Sequence, residues 1–196
     1  MTDYLRAVTL GAFTWKNEER IALFFEHIQR IGKVWLLLHF LLLTFCLNFP
    51  VTLIMARLSP FELYGRLYGE NAAGEITGNP QAQVSAEEFN KRMFENGYGR
   101  NILLPLLGIS FVFTLIIQVV FFLCAVFFIG LSRMNVSPIS FHNRLGLAVF
   151  SSTLPVLAAA IFGLVLPAVH IIVFYLIVIF FIFQRSSRLR FAETFD

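Results

Sequence analysis

The sequence predicts an all-α integral membrane protein: four transmembrane helices, an N-terminal amphipathic helix, and a small helical extracytoplasmic cap between the first two spans. Three observations predict it. Hydrophobic residues make up 58% of the 196 residues and charged ones only 14%, against about 25% charged in soluble domains. The apolar runs are long. Leu145 to Phe183 passes 39 residues without Asp, Glu, Lys or Arg, and about 20 apolar residues suffice to cross a bilayer core. Phe occurs 24 times, which suits lipid-facing surface and close helix contacts.

The net charge of +3 comes from basic residues at predicted helix ends rather than in a run, so nucleic acid is not an expected partner. Cys46 and Cys124 both fall in predicted spans without a CxxC pair. They are expected to be buried apolar thiols, with no cofactor, metal or redox role. No cleavable signal peptide is expected, because the first 33 residues are mixed rather than basic then apolar.

Residues 1–33 form a cytoplasmic N-terminal segment. Asn17 is positioned to cap a helix with Glu18 and Glu19 in its first turn. Ile21, Phe24, Phe25, Ile28 and Ile31 then recur at helical spacing. This face is expected to lie in the membrane interface or to pack on the protein's own bundle. Residues 34–56 are the first span, with no charge but with His39, Asn48 and Pro50.

Residues 57–100 hold the cap. Ser59-Pro60-Phe61-Glu62 reads as a capping box opening a helix to Tyr68, whose Phe61, Tyr64, Leu67 and Tyr68 are available to dock on the membrane surface. Asn71 to Gln83 is loop by composition. Ser85-Ala86-Glu87-Glu88 is a second capping box, starting a helix to about Glu95 with a stripe of Phe89, Met93 and Phe94 that Gly97 and Gly99 end. This cap is expected to be too short to bury a core alone.

Residues 101–131 are the second span, with Gln118 near its centre. Residues 132–144 are a cytoplasmic loop, whose Asn135-Val136-Ser137 sequon is dismissed because Pro138 follows and the loop is placed inside. Residues 145–184 form a hairpin of two spans turning near Gly163 to Pro167. In its first arm Pro155 is expected to kink the helix and free a carbonyl for Ser151, Ser152 or Thr153 to satisfy. Ala158, Ala159, Ala160 and Gly163 allow close helix contact. His170 begins the second arm, and residues 185–196 form a basic cytoplasmic tail.

Orientation follows from charge. The N-terminal segment, second loop and tail together carry 10 Lys plus Arg and net +4, while the long first loop carries 5 and net −1. Positive-inside bias therefore puts both termini in the cytoplasm and the cap outside.

Phe13-Thr14-Trp15-Lys16, Phe24-Phe25 and Ile31-Gly32-Lys33 lead into a span ending near Pro50. Ser140-Phe141-His142-Asn143-Arg144 leads into Leu147-Ala148 and Thr153-Leu154-Pro155. These stretches resemble domain-of-unknown-function family 1189, bacterial membrane proteins related to the Yip-type superfamily. The resemblance covers most of the chain. It implies a bacterial inner-membrane protein without an established activity, and a sugar-uptake context, because some members are labelled maltodextrin-utilisation proteins. It supplies no catalytic residues.

The leading expectation is a non-enzymatic accessory or assembly subunit of a membrane complex, acting through protein contacts in the bilayer, with membrane lipids and a membrane-protein partner or second copy around it. Ala159 and Gly163 are its candidate contact positions. The alternative is a small transporter or channel, for which the intramembrane polar candidates are His39, Asn48, Gln118, Ser152 and His170, with Ser151 and Thr153 beside them. An intramembrane enzyme is disfavoured: no HExxH, GxSxG or carboxylate pair lies in a span, and His142 and His170 are expected to be far from Ser152. Lipid sensing or bilayer shaping by the amphipathic helix is a further reading.

Overall fold

The computed structural model describes residues 1–13, 18–68, 85–132, 139–165, 175–182 and 185. Among them the regular structure is entirely helical. The helices are α1 (Thr2–Phe13), α2 (Glu18–Arg30), α3 (Lys33–Arg57), α4 (Pro60–Tyr68), α5 (Ala86–Glu95), α6 (Leu104–Ser132), α7 (Phe141–Ser151) and α8 (Thr153–Val165), with residues 175–182 also helical. Among the described residues three segments are long and apolar enough to cross a membrane: Lys33–Arg57, Gly99–Leu131 and Phe141–Val165. They mark the chain as a membrane protein. Much of the hairpin's second arm, the turn before it, the sequon and the tail beyond Arg185 lie outside the described residues.

The chain divides into two compact units, Met1–Pro50 with Phe113–Asp196, and Val51–Val112. In the first, α1 and α2 pack on each other, and both pack on α7. The core joins Ala7 of α1, Ile21, Phe24 and Ile28 of α2, and Leu147 and Phe150 of α7. Helix α1 was not anticipated. Its signal is present: Tyr4, Ala7, Val8, Gly11 and Ala12 follow the i, i+3, i+4 rhythm of one helix face. Asp3 Oδ1 accepts from His27 Nδ1 at 2.9 Å, tying α1 to α2.

The α2 face turns inward. Ile21, Phe24, Ile28 and Ile31 are buried and Phe25 is half-buried, so this face packs on the chain's own helices and is not open to the acyl boundary. The reason is at Gly146, where a Cβ would lie 2.5 Å from Ile28 Cγ2. Only a glycine there lets α2 approach α7 so closely. The cysteines also depart from expectation: Cys46 is half-buried and Cys124 is exposed on its span.

Helices α3 and α6 run antiparallel, since contacts step four residues down one and four up the other: Phe40 with Phe122, Thr44 with Gln118, Asn48 with Thr114. Each step of four residues rises about 6 Å, a little more than one helical turn. The α6 face carrying Phe113, Ile116, Val120, Phe127 and Phe128 is exposed.

The second unit has a small core, which the cap residues form together with Ile102, Leu103 and Leu106 from the start of the second span. Leu63, Phe89, Met93 and Tyr98 are buried, with Phe61 and Tyr64 edge-on to the Phe89 ring. Phe61 and Tyr64 therefore turn into this cluster, while Leu67 and Phe94 stay exposed. The capping boxes start both helices: Glu62 accepts from the Ser59 N–H and hydroxyl, each at 2.9 Å, and Ser85 Oγ accepts from the Glu88 N–H. Asn90 Oδ1 accepts from the Phe61 N–H at 2.8 Å, joining α4 to α5. Gly97, at φ +75°, ends α5 in the left-handed conformation. A π-helical turn, Gly99–Leu103, then feeds α6.

Candidate functional site

The polar residues of the first unit gather at a break in the third apolar segment. Pro155 has no N–H for the Ser151 carbonyl, and α7 and α8 part at Ser152, whose N–H reaches back only to Val149 O at 3.1 Å. Side chains take over. Ser152 Oγ donates to Ala148 O at 2.7 Å, and Thr153 Oγ1 donates to Phe150 O at 2.8 Å. The sequence suggested a break and hydroxyl bonds here, but the carbonyls these hydroxyls reach are those of Ala148 and Phe150 rather than the Ser151 carbonyl that Pro155 frees.

His39 comes to the break from α3. Its Nε2 lies 3.0 Å from Thr153 Oγ1 and its Nδ1 lies 3.1 Å from the Tyr4 hydroxyl. Donor accounting fixes the tautomer. Thr153 spends its one hydrogen on Phe150 O, so Nε2–H donates to Thr153 and Nδ1 accepts from Tyr4. Burial raises the Tyr4 hydroxyl above its ordinary value, so it remains a donor at neutral pH. The His39 ring stacks on Phe150 at 4.5 Å, and Tyr4 meets both edge-on.

Gly11 brings α1 onto the same break, with space for a Cβ closed by Phe150 O at 2.5 Å. Arg185 Nη2 donates to Gly11 O, with its guanidinium 5.1 Å from the Phe24 ring centroid and 5.7 Å from that of Phe181. Burial lowers this guanidinium to about 10, so it is charged at neutral pH. The first residue of the expected basic tail is thus a buried strut.

A second polar set lies along α3 and α6. Thr44 Oγ1 shares its one hydrogen between Phe40 O and Gln118 Oε1, and Thr114 Oγ1 donates to Asn48 Oδ1. Gln118 is fully buried, and its Nε2 meets no hydrogen-bond partner among the described residues. Of the other predicted positions, Ala159 and Gly163 are buried within α8, and His170 lies outside the described residues.

This arrangement can hold helices. The Thr153 hydroxyl is committed to a carbonyl, Nε2 of His39 carries its proton, and both residues are buried. Sequence reasoning missed the His39–Thr153 pair because it weighed only His142 and His170, and only against Ser152. The pairing comes from α3, 114 positions away.

One large groove, about 630 Å³, lies between α3, α6 and α7 and is lined mainly by apolar side chains, with Lys33 and His142 at one end. Comparisons with protein families, with curated proteins and with solved structures find no match.

Proposed function

We propose that this chain is a non-enzymatic integral membrane protein, an accessory or assembly subunit acting through helix contacts in the bilayer. The supporting observation is how its intramembrane polar groups are used. His39 with Thr153, Thr44 with Gln118, and Asn48 with Thr114 bond helix to helix inside the bundle. Such pairs are ordinary helix-to-helix contacts of a membrane bundle, and a conduction path needs polar groups facing a wet cavity. The exposed Phe face of α6 offers surface for a partner helix or a second copy. Four spans, cytoplasmic termini, an outward cap, a bacterial inner-membrane home and kinship with family 1189 and its sugar-uptake context belong to the same proposal. Ala159 and Gly163 serve the chain's own packing in this reading, so bulky residues there disturb folding before they disturb any partner.

The test is gentle extraction from the native membrane through a C-terminal tag. A partner at stoichiometric amount is the expected result. Recovery of the protein alone, together with ion or solute flux in liposomes that Gln118→Leu abolishes, would overturn the proposal in favour of a small transporter or channel.

A further inference from the structure

We propose that the groove between α3, α6 and α7 seats one acyl chain of an anionic phospholipid, with its phosphate held at Lys33. The reading is independent of whether a protein partner exists.

The groove is placed for this. Lys33 begins α3, directly before a charge-free run, and Phe141 begins α7 at the same end of the groove. From Lys33 the wall continues through Leu36 and Leu37 to Phe40, and α7 contributes Leu145 and Val149. Seven or eight residues of helix give a length of about 10–12 Å, most of one leaflet of a core about 30 Å thick. The rim residues Leu37, Val119 and Leu123 are exposed on apolar segments, so the groove opens sideways to the bilayer. Its volume falls within the roughly 300–1,000 Å³ of ordinary ligand pockets.

Charge selects the headgroup. An acyl chain gains little by leaving lipid for an apolar groove, because both surroundings are hydrocarbon. Preference must come from the end of the groove. Lys33 is exposed and has no carboxylate partner among the described residues. The N-termini of α3 and α7 add partial positive charge there. His142 Nε2 donates to Ile31 O at 3.0 Å, holding the α7 start against the lead into α3.

The experiment uses the full chain in mixed micelles, titrated with phosphatidylglycerol and phosphatidylcholine of matched acyl chains, with bound lipid counted by native mass spectrometry. Retention of one phosphatidylglycerol with about fivefold preference is expected, the effect of one lysine at an anionic surface. Lys33→Gln should remove the preference and leave the weak common binding. Leu37→Trp, which fills the rim, should reduce both lipids. Each variant must elute as the parent does on size exclusion. Equal retention of the two lipids by the parent, or a preference that survives Lys33→Gln, would overturn the proposal.

Discussion

Gly11→Ala tests the centre of the first unit. The added Cβ would lie 2.5 Å from Phe150 O, 3.2 Å from Phe150 C and 3.2 Å from Phe24 Cε2. Ordinary contact begins near 3.4 Å, so α1 and the break must separate by about 0.9 Å. Neither side yields readily. The Phe150 carbonyl is held by Thr153 and its ring by His39, while α1 is held by Arg185 through Gly11 O. Overpacking costs about 1–3 kcal/mol, and the better helix propensity of alanine returns at most about 1 kcal/mol. A net loss of about 1–2 kcal/mol lowers Tm by roughly 2–8 °C for a chain of this size. The companion is Gly130→Ala, where the Cβ would overlap Arg144 Nη1. That overlap is closer, yet it falls on the tip of a long side chain that can swing aside, so the change should stay within about 0.5 kcal/mol. Thermal unfolding in detergent, followed by circular dichroism, compares the two. A Gly130→Ala loss equal to or larger than that of Gly11→Ala would refute the reasoning.

Three further outcomes are expected. In a double-mutant cycle of His39→Phe and Thr153→Val, the coupling should be about 0.6–1.7 kcal/mol; a coupling near zero would deny that the pair joins α3 to the break. Thr44→Val should cost about 1–3 kcal/mol by leaving the Gln118 amide fully unpaired, whereas Gln118→Leu should cost less, because it also removes a buried nitrogen with no partner among the described residues; the reverse order in denaturant unfolding counts against this. The Ser59 bonds hold Glu62 below its ordinary 4.5. A lowered folded-state value stabilises at pH above 4.5 and is lost as pH falls through it, so amide-exchange protection in α4, corrected for intrinsic rate, should drop in acid for the parent and change less in Glu62→Gln. Identical pH profiles would remove Glu62 as the cause.

Membrane class, the two capping boxes and the proline kink were legible because each is local. Apolar run length, Ser-x-x-Glu spacing and a missing N–H at Pro155 act within a few residues of chain. What was not legible depends on close approach. Nothing near Ile21, Phe24 and Ile28 in sequence says whether their face meets lipid or protein, since both surroundings are apolar. The deciding residue is Gly146, on another helix, whose missing side chain admits Ile28. Arg185 shows the same limit. In sequence it ends an apolar run and reads as a charge left at the interface, but α1, whose small-residue face leaves room beside Gly11, supplies a carbonyl and Phe24 a ring to receive it.

The polar groups are better understood as addresses than as adhesive. Average helix-to-helix hydrogen bonds in membranes contribute only about 0.6 kcal/mol, so Thr44, Asn48, Thr114 and Gln118 add little to stability in total. Their placement nonetheless restricts the packing of two nearly featureless apolar helices. Rotating α6 about its axis would leave polar side chains facing hydrocarbon, each at a cost of several kcal/mol. The correct facing of the two helices is therefore selected mainly by penalties on the wrong ones. The same logic fixes His39: α3 can turn its histidine only toward the hydroxyls that Pro155 gathers at the break, because no other described surface of the span offers Thr153 and Tyr4 together.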